Sequence, residues 1–178
     1  MMPQENEDKL LSIRNLGVSF TTQGGVSEIL KGISLDIHKG ENLAIVGESG
    51  SGKSVTALSV LRLHDEVHTI YNDDSEIMYG GNNLLKLDTR QIESVRGDKI
   101  SMIFQEPMTS LNPVFTVGQQ IVEVLTLHTP LIGEQKRARV IELLDRVGIR
   151  EPEKKLSVFP HALSGGQRQR VMIAMALA

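Results

Sequence analysis

Eight residues constrain the fold more than any others: Gly47–Ser54, which read GESGSGKS. They fit G-x-x-x-x-G-K-[ST] at every fixed position. NLAIV (Asn42–Val46) precedes them, a short and nearly continuous apolar run of the kind a strand buried on both faces presents. SVTALSVLRL follows, with helical spacing at Val55, Leu58 and Leu61. Strand, glycine loop and helix in that order make a cradle for phosphate. Gly47, Gly50 and Gly52 let the backbone wrap closely, with amides gathered at a helix N-terminus where the dipole favours negative charge. Lys53 sets a cation against the outer phosphates, and Ser54 offers a hydroxyl to Mg²⁺. Glu48, Ser49 and Ser51 complete the loop and Val55 opens the helix, so 47–55 is the expected nucleotide-binding segment.

The rest of the chain narrows what could surround such a loop. At 178 residues the length suits one domain, or one domain with a small subdomain. A net charge of -3 and 3% aromatic content give no reason to expect nucleic acid as a partner. The chain has no cysteine, which excludes a disulfide framework and a thiolate metal site. No run approaches the ~18 apolar residues of a membrane span, and MMPQENEDKL lacks the basic start and apolar centre of a secretory signal. The expected location is therefore cytoplasmic, with any membrane role exercised through a partner.

After a polar lead over residues 1–9, IRNLGVSF alternates with Leu16, Val18 and Phe20 on one face. GISLDI alternates with Ile33, Leu35 and Ile37, and Thr21–Gly25 reads as the turn between the two strands. SEIMYGG reads as a further strand and turn, TIYNDDSE as a polar loop and DKISMIF (Asp98–Phe104) as a strong strand. From Glu106 the texture is helical. In EQKRARVIELLDRVGI, Val140, Leu144 and Val147 share a face and Gly148 makes the C-cap.

A second motif, LSGGQRQR (Leu163–Arg170), selects among the many proteins with a phosphate loop. Ser164 stands at an N-cap position, Gly165 and Gly166 bare their amides and a helix follows, which makes a second anion site. With this motif the sequence resembles the ATP-binding subunits of ABC transporters over nearly its whole length. MIFQEPMTSLNP (Met102–Pro113) is similar to that family's Q-loop as found in peptide importers. GESGSGKSVTALSVLRL and FPHALSGGQRQRVMIAMALA are similar to the oligopeptide, dipeptide and nickel branch. Within that branch the likeness is to the first cassette of the tandem ATPases of microcin C and oligopeptide import.

The resemblance implies an α/β fold. It consists of a P-loop NTPase core with an antiparallel β subdomain and an inserted helical subdomain, ending before the Walker B strand. Its expected divisions are 10–105 for the core, 106–163 for the helical subdomain and 164–178 for the signature helix. The resemblance further implies that Phe20 stacks on adenine. Lys53 and Gln105 act in catalysis, with Ser54 and Gln105 at Mg²⁺. Ser164, Gly165, Gly166 and Gln167 bind the γ-phosphate of ATP held by a second cassette. Implied partners are that second cassette, membrane-spanning permease subunits and, indirectly, a solute-binding protein. The cassette would sit peripherally on the cytoplasmic face of the membrane. The activity implied is ATP hydrolysis coupled to import of peptide-like solutes. A non-transport ATPase of the same superfamily and a nucleotide-binding remnant without hydrolysis are the alternatives.

Past MIAMALA the family pattern runs into an apolar strand ending in Asp-Glu, then a D-loop and a switch histidine, none of which is among these 178 residues. The expectation is a truncated cassette that is marginally soluble alone and does not hydrolyse ATP by itself. HDEVH (His64–His68) resembles a zinc-protease motif only loosely, since Asp65 stands where the glutamate should, and it is read as a solvated loop. His161 reads as structural, and Lys136–Arg139 as the wet face of a helix.

Overall fold

The computed structural model of the chain describes residues 8–104 and 110–178. The chain divides into two compact units, one up to Val95 and one from Arg96 onward.

The first unit is built on a long hairpin, β1 (Lys9–Thr22) and β2 (Gly25–His38). The expected turn is a two-residue loop, Gln23 and Gly24, closed by the Thr22–Gly25 pair. Leu11 and Ile13 are buried early in β1, Leu16 and Val18 later. An odd-numbered face becomes an even-numbered one at Asn15, which has φ 46° and sits in an irregular stretch of the ladder. Such a bulge re-aims the strand, and Asn tolerates the left-handed conformation better than most residues. β3 (Thr69–Tyr71) and β4 (Glu76–Tyr79) pair with β1, and β5 (Asn82–Asn83) pairs with β4, all antiparallel. β3 lies inside the stretch expected to be a polar loop, being too short for alternation to reveal it. Helices α1 (Lys53–Val60) and α2 (Thr89–Val95) complete this unit.

α1 departs from its pattern. Its buried residues are Thr56 and Ser59; of the expected face, Leu61 at the C-cap is buried and Val55 and Leu58 only half-buried. A polar face can be buried there because each hydroxyl bonds the carbonyl one turn back, Thr56 Oγ1 to Gly52 O at 3.0 Å and Ser59 Oγ to Val55 O at 2.8 Å.

Two strand expectations fail. Asn42–Val46 forms no strand, and Leu43, Ile45 and Val46 are exposed. Asp98–Phe104 forms none over its described length beyond a single bridge, Arg96 to Ile100. A strand exists only through its ladder partners, and among the described residues neither apolar run has a ladder.

In the second unit, α3 (Val117–His128), α4 (Glu134–Arg146), α5 (Pro152–Lys155) and α6 (Gly165–Ala176) pack around one core. Val117, Ile121 and Leu125 meet Val140, Leu143, Leu144, Leu163 and Val171 there. On α4 the buried trio is Val140, Leu143 and Leu144, with Val147 at the margin, because the face continues through i+3. Gly148 ends α4 at φ 77°, with its amide on Asp145 O and that of Ile149 on Leu144 O.

Candidate nucleotide site

The loop before α1 has the backbone its glycines allow. Gly50 and Gly52 lie at φ 82° and 88°, and Gly52 is the N-cap of α1. A Cβ on Gly47 would stand 2.8 Å from Ser51 Oγ, and one on Gly52 would stand 2.5 Å from Leu30 Cδ2. The loop thus closes on itself at one end and lies against the hairpin at the other, with no room for side chains at either contact. Glu48, Ser49, Ser51 and Ser54 are exposed.

Lys53 is the first residue of α1 and its side chain turns back over the loop. Nζ donates to Gly47 O at 2.8 Å, Glu48 O at 2.6 Å and Ser51 Oγ at 3.2 Å. A full positive charge is therefore folded onto the loop's own backbone, next to the helix N-terminus. A curled, glycine-lined loop, a helix N-terminus and a lysine ammonium are together the kind of groups that can bind a polyphosphate.

Phe20 lies at the end of β1, half-buried, with its ring edge-to-face against His64 at 5.2 Å between centroids. His64 is missed by the sequence, which reads HDEVH as a solvated loop because Asp65 breaks the zinc motif. Its Nε2 lies 3.0 Å from Val55 O, whereas His68 Nδ1 meets Asp65 Oδ2 at 2.7 Å. The two histidines therefore serve different partners.

The signature residues lie in the second unit. Ser164 caps α6 in a reciprocal arrangement with Gln167: Ser164 Oγ accepts from the Gln167 amide at 3.3 Å and Gln167 Oε1 accepts from the Ser164 amide at 3.1 Å. Beside them is a cavity of about 340 Å³, lined by Ser164, Gly166, Gln167, Arg150 and Arg170 among others. Arg170 Nη1 donates to Gly148 O at 2.6 Å, which ties the signature helix to the end of α4. Arg170 could be noticed within its motif, but Arg150 comes to this pocket only through the fold. Both place positive charge near the N-terminal end of α6. Gln105 lies outside the described residues.

Comparison with known proteins agrees with both motifs. The family model described as ABC transporter matches residues 30–178. The peptidoglycan transport ATP-binding protein YejF of Agrobacterium fabrum is 52% identical over 177 residues, 99% of this chain and 32% of its own length. The oligopeptide transport ATP-binding protein OppD of Bacillus subtilis is 49% identical over 170 residues, 96% of this chain and 47% of its own length. The chain thus spans about a third to a half of these relatives. Among solved structures, the ATP-binding cassette MJ0796, a dimer bound to ADP and Pi, superposes with a TM-score of 0.82 at 29% identity, covering 95% of this chain and 69% of that one. With the matched region running from β2 through the phosphate loop to the signature helix, the chain belongs to the ABC transporter family.

Proposed function

We propose that this chain is the ATP-binding, energy-coupling part of a transporter that imports peptides or peptide-like solutes. The observation that carries the reading is the phosphate loop, with Lys53 drawn over carbonyls it can exchange for phosphate oxygens. At Gly47, where a Cβ would stand 2.8 Å from Ser51 Oγ, the loop turns closely on itself, as a phosphate cradle needs. Residues 47–55 hold the phosphates and Phe20 carries the adenine. Ser54, and by the resemblance Gln105, would hold Mg²⁺, which would neutralise charge developing on the transferred phosphoryl group. Lys53 stabilises the same charge from the protein side. Ser164, Gly165, Gly166 and Gln167 close on the γ-phosphate of ATP carried by a second cassette, with Arg150 and Arg170 supplying positive charge nearby.

The peptide-transport names of the relatives support the substrate class. No helix among the described residues is long and apolar enough to cross a membrane. In this reading permease subunits supply the channel, and the cassette sits on their cytoplasmic face through its helical part, 106–163. A solute-binding protein acts on the far side. Hydrolysis belongs to the paired cassettes. In this reading the 178-residue chain by itself binds ATP without steady turnover, because the signature residues of a second cassette are needed on the γ-phosphate.

Calorimetric titration of Mg-ATP into the full chain tests the reading, alongside a phosphate-release assay. Lys53→Ala removes a charge-assisted contact and is expected to weaken binding about tenfold or more. Equal affinity in both proteins, or steady phosphate release by the 178-residue chain, would overturn the corresponding half of the proposal.

A further inference from the structure

We infer that His64 is a positioning residue for nucleotide binding: it sets the ring of Phe20 and ties that ring to the phosphate-loop helix. The inference rests on the reading of Phe20 as the adenine platform. It starts from the short segment that carries His64, which is fastened to the end of β1. The Thr21 amide donates to His68 O at 2.8 Å, and Phe20 is paired with Thr69 in the ladder. Asp65 shapes the turn between them, accepting from the Val67 amide at 2.9 Å and from Thr69 Oγ1 through its own carbonyl at 2.6 Å. His64 is thus delivered beside Phe20 by a built turn.

The imidazole links Phe20 to the first turn of α1 through two contacts. At 5.2 Å and 70° between planes, it meets Phe20 in the edge-to-face geometry that aromatic pairs prefer. Its Nε2 lies 3.0 Å from Val55 O in the first turn of α1, directly after Lys53 and Ser54. A carbonyl only accepts, so Nε2 carries the hydrogen and the ring is fixed in plane. Val55 O also accepts from Ser59 Oγ at 2.8 Å, so the anchoring carbonyl is itself held. A phenyl ring at a strand end could otherwise occupy more than one rotamer. With His64 against it, its orientation is referred to the helix that holds the phosphates.

The test compares ATP with inorganic tripolyphosphate, which has the phosphates and no base, titrated into the full chain. His64→Ala is expected to weaken ATP about fivefold, the order of one lost aromatic pair, and to leave tripolyphosphate unchanged. In a Phe20→Ala background it should cause no further loss, because the two residues act as one. His64→Phe keeps an aromatic edge and should recover part of the affinity. Equal weakening of both ligands, no effect on ATP, additivity with Phe20→Ala, or no recovery in His64→Phe would each overturn the inference. If Phe20→Ala weakens ATP while His64→Ala is silent, only the role of His64 falls. If Phe20→Ala is itself silent, the platform reading falls and takes this one with it. If Lys53→Ala affects neither ligand, the site as a whole is misread.

Discussion

At Gly52 two independent constraints fall on a single hydrogen atom. The backbone has φ 88°, and a Cβ would stand 2.5 Å from Leu30 Cδ2, a side chain only 2% exposed. At Gly50 the backbone is similar, with φ 82°, but a Cβ would meet nothing within 4 Å. The pair separates conformational strain from collision. Gly50→Ala should destabilise by about 1 kcal/mol, the low end for a non-glycine residue held at positive φ. Gly52→Ala adds the displacement of a core leucine and should cost about 3 kcal/mol, with weaker ATP binding because the loop must shift. Urea unfolding followed by circular dichroism measures both, and equal stability of the two variants would refute the account. The glycine pattern was legible from spacing alone. The identity of the neighbour was not, because Leu30 comes from the hairpin and only the fold brings it to the loop. The same holds for His64, which the sequence reads as part of a solvated loop, and for Arg150.

Among the elements, the β1–β2 hairpin has an electrostatic clamp near its open end. Asp36 Oδ2 accepts from Arg14 Nη2 at 2.8 Å, and Lys9 Nζ stands 3.1 Å from the same oxygen. The Arg14 guanidinium, with help from Ser12 and Lys9, holds the Asp36 carboxyl well below the usual carboxylate range. A carboxylate depressed in the folded state contributes stability above its unfolded pKa, and loses it as pH falls through the folded one. Asp36→Asn should therefore destabilise the chain by about 1 kcal/mol at pH 7, since the side chain is 25% exposed and partly screened. The gap between variant and parent should begin to close below about pH 4, where the unfolded carboxylate protonates, and narrow further as acidity increases. Thermal melts of both proteins at pH 7 and pH 3 check it, and a gap that does not change with pH would remove Asp36 ionisation from the explanation. Sequence alternation found this hairpin and its turn because both strands lie side by side in the chain. It missed the bulge at Asn15, where the side-chain face switches. It also assigned strands to Asn42–Val46 and Asp98–Phe104, since apolar runs report a tendency to be buried but not whether a neighbouring strand is there to pair.

At the scale of the molecule, each of those two runs, one in either unit, leaves consecutive apolar residues exposed. Leu43, Ile45 and Val46 are 43%, 48% and 91% exposed, and Ile103 and Phe104 are 47% and 49% exposed. Single exposed apolar residues are ordinary, and Val67 at 84% in the His64–His68 turn is one. Consecutive ones outside any described ladder are different, because backbone that no strand pairs can add a partner strand beside its apolar side chains. A second chain can satisfy both together, through the ladder and through burial. The 178-residue chain is therefore expected to self-associate as its concentration rises from about 5 to about 100 µM, the range in which exposed strand edges find one another. Ile45→Lys combined with Phe104→Lys should shift that association to higher concentration, whereas Val67→Lys should not move it. Sedimentation velocity resolves the species directly. A single monomer boundary across the whole range would mean that something within the chain covers these runs in solution, and equal effects of all three lysines would assign the association to net charge, not to the two unpaired runs.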